Sequence, residues 1–317
     1  MRSTFIQMMC RLAQEDPKVM LVIGDTGFSV MEPFEAEFGP RFVNVGIAEQ
    51  SFISFSAGLA AMGMKPFAYN VVSFMTLRSA EQILLDVCYQ ENPVILVGVG
   101  GGFAYGTAGP THHSLQDIAM MRAFPDIDVY CPADPAEMEA VMLTAYRRER
   151  PAYIRIGRSV DAPIHKQAVD TPVQQAIPLS QGTDIAIFAC GTILREAVET
   201  SRLLEQKGCS VTLYSVPCVK PLDGEALLSC AAGHRAVFTM EEHGITGGLG
   251  SAVAEFLMER GQRPTVFHRY GIPDSFAMVT GTREYQLKYF GLSPEQTAED
   301  MWNRWKDIYE QYDRQPF

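Results

Sequence analysis

The chain has 317 residues, of which 47% are hydrophobic and 20% charged, a length and composition that suit two globular domains. A formal net charge of -11, a pI of about 5.1 and the lack of any Lys/Arg-rich block argue against a nucleic-acid partner. No apolar stretch is long enough to span a bilayer.

In chain order, the first segment, MRSTFIQMMCRLAQEDP, reads as an amphipathic helix over 3–15 and not as a signal peptide. Strand-like runs follow at 19–25, 41–45, 66–72, 93–99, 127–132 and 152–156, with helical patterns near 48–62, 76–90, 114–123 and 134–149. This alternation predicts an α/β fold, a doubly wound, mostly parallel sheet with helices on both faces. Residues 159–183 hold three prolines and little periodicity, which marks a domain boundary. The expected division is 1–160, a linker over 161–183, and a smaller second α/β domain over 184–317. In that second part, strands are predicted at 184–191, 210–216, 236–242 and 264–271, with helices at 193–207, near 223–232 and after Gly248. Ser293 and Pro294 open a final helix as N-cap and first helical residue. The seven cysteines, 10, 88, 131, 190, 209, 218 and 230, are odd in number and contain no C-x-x-C, so reduced thiols and a cytoplasmic setting are expected.

Parallel sheets place ligand chemistry at the carboxyl ends of their strands. The exits to inspect are therefore GDTGFS (24–29), GIAEQ (46–50), SFMTLR (73–78), GVGGGFAYGTAGPTHHS (98–114) and GRS (157–159). The glycine-rich exit does not complete G-x-G-x-x-G, because Phe103 and Tyr105 stand where glycine is required and Gly109, Pro110 and Thr111 precede any helix. It reads better as backbone that must approach something closely while carrying His112 and His113. Adjacent histidines at a helix start point apart, so no metal site is expected there. One suits a polar or proton-handling role and the other a structural one. Gly247, Gly248 and Gly250 fit either an anion at a helix N-terminus or close helix packing. Glu49, where apolar backbone turns into helix, suits either the helix dipole or a ligand. No G-x-S-x-G supports a hydrolase.

With GDTGFS, GIAEQ, the aromatic Phe74, GPTHH and YIRIGR in this order, the chain resembles the thiamine-diphosphate-dependent transketolases over essentially its whole length. The match is to their pyrimidine-binding domain followed by their small C-terminal domain. The resemblance implies that Glu49 bonds the aminopyrimidine ring of thiamine diphosphate, favouring the tautomer that takes the proton from thiazolium C2. It places Phe74 on that ring, with Asp25 and Arg78 as further cofactor-side residues. Arg2, Ser29 and Arg158 fall at positions that hold a sugar phosphate, and His112 at one that contacts substrate oxygens near the reacting carbons.

Two departures bear on substrate. Ala108 stands where the family carries an Asp that reads hydroxyl stereochemistry, and Gly100 where it carries a His. A modified, branched or deoxy sugar is therefore admitted. A third departure bears on assembly. No G-D-G…N signature for diphosphate and metal is present: Asp25 is followed by Thr26, and Asn44 lies too near. The resemblance thus implies the small subunit of a split enzyme. A separate diphosphate-binding chain would hold Mg²⁺ or Ca²⁺, in an α₂β₂ assembly whose two small subunits pair as a homodimer. The alternatives are the β subunit of a 2-oxoacid dehydrogenase, or a non-catalytic partner on the same fold.

Overall fold

The computed structural model describes residues 1–158, 163–170 and 173–313, with side chains through residue 306. Two sheets are observed. The strands of the first are β1 (Val19–Ile23), β2 (Phe42–Asn44), β3 (Lys65–Val71), β4 (Ile95–Val99), β5 (Asp128–Tyr130) and β6 (Ala152–Ile156). Those of the second are β7 (Ile177–Ser180), β8 (Ile185–Cys190), β9 (Val211–Ser215), β11 (Ala236–Gly244) and β12 (Val266–Ile272). Between β9 and β11, β10 (Cys218–Lys220) leaves the second domain and joins the first sheet, which runs β10-β5-β6-β4-β3-β1-β2. The second runs β12-β11-β8-β9-β7.

The core strands are parallel, and β1, β4 and β6 are buried along their whole length. Helices cover both faces of the first sheet, which explains runs that are apolar at every position rather than alternating. Of the four edge strands, β7 and β10 are the antiparallel members, and the sequence reading missed both. Each is short and carries or borders proline, so neither shows strand periodicity. β7 falls inside the predicted 161–183 linker, of which residues 161, 162, 171 and 172 lie outside the described residues, as does Ser159 of the GRS exit.

Two helical predictions need correction. The helix expected at 76–90 begins at Val72, breaks at Ser79 (φ -119°, ψ 24°) and resumes through Ala80–Gln82 into a wide π-type turn, Ile83–Tyr89. Phe74 and Arg78 therefore share one short helix, Val72–Arg78, that leads straight off β3. The helix expected at 114–123 begins only at Asp117, so His112 and His113 lie in the turn before it. The helices Glu32–Phe38 and Arg283–Tyr289, unpredicted, are each about two turns long.

Candidate functional site at the carboxyl ends of the first sheet

The helix Glu49–Ala61 starts immediately after the Gly46 turn, so its first carboxylate sits at the exit of β2. Glu49 is only 9% exposed. Arg78, at the end of its short helix, donates Nη1–H to Glu49 Oε1 at 2.6 Å and lays its guanidinium 4.2 Å from the Phe74 ring centroid. Phe74 meets His112 edge-on at 5.1 Å, and His112 meets Tyr105 at 6.1 Å. Tyr105 in turn carries the Arg158 guanidinium 4.8 Å above its ring. The exits of β2, β3, β4 and β6 thus contribute to one continuous row: Glu49, Arg78, Phe74, His112, Tyr105, Arg158.

The remaining predicted residues are held by other contacts. Asp25 sits in a left-handed turn (φ 54°) locked to Asn44, which accepts its N–H at 3.0 Å and donates to its carboxylate at 3.1 Å. Ser29, also left-handed (φ 66°), donates its N–H to Glu32 and is exposed. Gly27 in the same turn packs against the core, where an added Cβ would stand 2.8 Å from Met31 and 3.3 Å from Tyr69. Arg2 and Tyr105 are both electrostatic neighbours of Tyr69, whose phenol is pushed up chiefly by burial. The structure gives Arg2, Ser29 and Arg158 no direct contact with one another.

The two histidines diverge. His113 is buried, its Nε2 3.2 Å from the Gly106 carbonyl and its ring edge-on to Phe103 at 5.1 Å. Burial holds its pKa below the ordinary value, so it stays neutral and supports the loop. His112 faces the row, and its Nδ1 lies 2.9 Å from the Thr111 hydroxyl.

The glycines of the loop have three different neighbours. A Cβ at Gly100 would stand 2.1 Å from Tyr105, one at Gly101 2.7 Å from Arg155, and one at Gly102 2.4 Å from Glu242. The close approach inferred from the sequence is therefore to the protein itself: from within the loop, from the neighbouring strand β6 and from the second domain. Glu242 accepts the Phe103 N–H at 2.7 Å and also holds Thr192 and Arg283. The anion position at the start of the helix Leu249–Glu259 is likewise filled internally. Glu241 takes the N–H groups of Leu249 and Gly250 at 2.7 and 2.9 Å, although burial pushes its carboxyl up to about 7.

Glu242 and Arg155 escaped the sequence reading, and Tyr105 was named there without a site role. Tyr105 had one usable signal, an aromatic side chain inside a glycine-rich strand exit. Glu242 and Arg155 had none, since their partners lie 139 and 38 residues away.

A buried carboxylate beside a partly exposed aromatic ring fits a flat heteroaromatic ring with a nitrogen donor. Glu49 Oε2 accepts no hydrogen bond among the described residues, which leaves it available for such a donor. No cluster of three or more His, Cys, Asp or Glu side chains suited to a metal occurs among the described residues. All seven cysteines are free thiols, and no helix in the described residues is long and apolar enough to cross a membrane.

Comparison with known proteins identifies the family. Residues 1–161 match the family model of the transketolase pyrimidine binding domain, and residues 174–297 that of the transketolase C-terminal domain. The chain is 36% identical over 277 residues to one of the subunits of the apulose-4-phosphate transketolase of Actinobacillus succinogenes, covering 87% of this chain and 89% of that one. It is 33% identical over 297 residues to the 6-deoxy-6-sulfo-D-fructose transketolase subunit SqwH of a Clostridium species, covering 93% and 91%. Among solved structures it is similar to a split gene transketolase described as an inactive beta4 tetramer, with a TM-score of 0.87, 32% identity, and 94% and 95% of the two chains covered.

Proposed function

Because the chain belongs to the transketolase family, with the pyrimidine-binding and C-terminal domains in one polypeptide, we propose that it is the small subunit of a split enzyme completed by a separate diphosphate-binding chain. It is a transketolase-type transferase subunit that serves the movement of a two-carbon ketol unit between sugar phosphates or related sugars. The observation that carries the site assignment is the continuous row from Glu49 to Arg158 across the exits of β2, β3, β4 and β6.

Each residue of the row then has work to do. Glu49 presents a carboxylate oxygen to a pyrimidine nitrogen and holds the proton there, and Arg78 orients that carboxylate through its hydrogen bond. Phe74 offers its ring to the pyrimidine face. Thiamine diphosphate, when bound, supplies a nucleophilic carbon and an electron sink. His112 faces the reacting carbons as a hydrogen-bonding and proton-handling group, and Arg158, with Arg2 and Ser29 nearby, meets the phosphate end of the sugar. The partner subunit holds the diphosphate and its divalent metal. Two copies of each chain make an α₂β₂ enzyme, and the small subunits pair with each other. A similar split subunit that forms a tetramer of its own kind and is inactive in that form supports both self-association and the need for a second chain.

The test is reconstitution. This chain, its partner, thiamine diphosphate and Mg²⁺ together are expected to turn over sugar phosphates. Alone, the chain is expected to bind the cofactor very weakly by calorimetry. Tight Mg²⁺-dependent binding to this chain alone would overturn the split assignment, and 2-oxoacid decarboxylation in place of ketol transfer would overturn the reaction class. Light scattering is expected to show the isolated chain self-associated. A clean monomer near 35.1 kDa that still complements the partner would refute the pairing.

A further inference from the structure

Gly100 leaves β4 in a left-handed conformation (φ 92°), and the space its side chain would occupy is already filled. The filling group is Tyr105, whose Cε2 lies 2.1 Å from the position a Cβ would take. Tyr105 is only partly buried, packed against the core at the strand exits. In the row it stands between His112, at 6.1 Å, and Arg158, at 4.8 Å. If His112 meets the reacting carbons and Arg158 the phosphate, the ring borders the carbons between them. Ala108, at the end of the same loop, offers no polar group there.

From this we infer that Tyr105 sets substrate size: its ring limits how many carbons fit between His112 and Arg158, so the site selects short phosphorylated aldoses. The inference rests on the sugar-phosphate reading above. The physical basis is steric. An aromatic ring carries a large fixed volume with two side-chain torsions, and here it fills the side-chain space at Gly100 with the Arg158 guanidinium over its face. An apolar wall of this kind discriminates by size, with one methylene worth about 10- to 200-fold.

The experiment uses the full chain assembled with its partner and cofactor. Triose, tetrose and pentose aldose phosphates are compared by equilibrium binding and, separately, by transfer rate, for wild type, Tyr105→Phe, Tyr105→Leu and Tyr105→Ala. The wild type is expected to favour the shortest. Tyr105→Ala is expected to raise the pentose-to-triose binding ratio by about tenfold or more, with Tyr105→Leu between and Tyr105→Phe keeping the wild-type order. Equal loss of affinity for all three sugars in Tyr105→Ala and Tyr105→Leu would show a merely structural ring and overturn the inference. So would a Tyr105→Phe change as large as that of Tyr105→Ala, which would assign selection to the phenol hydroxyl, or a wild type that prefers pentoses. Size-ordered binding without transfer would overturn the transferase reading while supporting Tyr105. A wild-type assembly that binds none of the three would overturn both.

Discussion

Two groups of charged side chains gather at the same end of the first sheet, and they are held in opposite ways. At the domain seam, Arg155 and Asp117 are 4% and 1% exposed. Arg155 donates to Asp117 at 2.8 Å and to the carbonyls of Ser114 and Glu242, both at 2.9 Å. Asp117 also accepts from Tyr153 and Ser114. Burial alone would raise the Asp117 carboxyl, but Arg155 and its other partners outweigh burial and hold it below the usual range. In the row from Glu49 to Arg158, by contrast, Arg78 is half exposed and makes one ion pair, and Arg158 is exposed. Buried polar atoms without partners also collect here: Asn70 Nδ2, Ser73 Oγ, Ser79 Oγ and Gln82 Oε1 all belong to the stretch that carries Phe74 and Arg78. Native structures leave few such atoms unpaired. The charged groups of the seam are satisfied within this chain, whereas the row keeps exposed guanidinium groups beside unpaired buried polar atoms.

The largest expected effect breaks the seam. Arg155→Met leaves Asp117 buried without its cation, and removing one member of a buried pair costs about 3–5 kcal/mol. Chemical denaturation of the isolated chain checks this. A midpoint close to wild type would mean that water reaches Asp117 and that the two regions are not held differently. The double change Asp117→Leu with Arg155→Met is expected to recover part of the loss, because burying two matched apolar groups avoids the desolvation cost of both charges.

The complementary test breaks the row. Glu49→Gln keeps the volume and removes the charge, so stability is expected to change by about 1 kcal/mol or less, the range of an ion pair to a half-exposed arginine. Activity of the reconstituted enzyme is expected to fall roughly 10²-fold or more, as for loss of a general acid/base group. Retention of more than about a tenth of the rate would remove Glu49 from the proposed proton-handling role. If instead Glu49→Gln unfolds the chain, the row carries stability after all and the contrast with the seam fails.

How much of this was legible in the sequence follows from the same contrast. The strands β1, β3, β4, β6, β8 and β9 were visible because burial writes itself as largely apolar runs, and β11 and the half-buried β12 through the apolar residues that open them. The row was visible in part because Glu49, Phe74, Arg78, His112 and Arg158 each sit at a strand exit, a place topology marks in advance. Tyr105 lay in view at such an exit, but its position over Gly100 depends on a left-handed backbone that composition does not display. The seam was hidden. Arg155 and Glu242 lie inside strands, where a charged residue reads as a pattern error until its distant partner is known. β10 was hidden for a related reason, since three residues bordered by proline gain their partner only when the domains dock.

The smallest expected effect sharpens the comparison through two histidines with opposite shifts. His243, at the seam, is fully buried, and burial pushes it down to about 4. A base with a depressed folded pKa binds its proton later than the unfolded chain does, so its contribution to stability rises with pH from about 4 to its ordinary value near 6.5. His165 lies where the chain leaves the first domain, and its shift runs the other way. Asp134 caps the helix Pro135–Arg148 and takes the N–H groups of Ile164 and His165, both at 2.8 Å. Glu137 then meets His165 Nε2 at 2.6 Å. That hydrogen bond raises the imidazole above its ordinary value of 6.5. A raised folded pKa means the contribution is complete below the unfolded value and is lost as pH rises through the folded one. Denaturation midpoints are therefore expected to decline above about pH 6.5, with a slope that cannot exceed about 1.4 kcal/mol per pH unit for one proton. His165→Gln is expected to flatten that decline, while below about 6.5 the rise from His243 is opposed by Glu241, whose carboxyl, pushed up to about 7, loses its contribution as pH climbs, so that window is expected to stay nearly level in both proteins. A decline of equal slope in His165→Gln would place the titrating group elsewhere and remove His165 and Glu137 as the pH-sensitive latch on the segment that leads to the second domain.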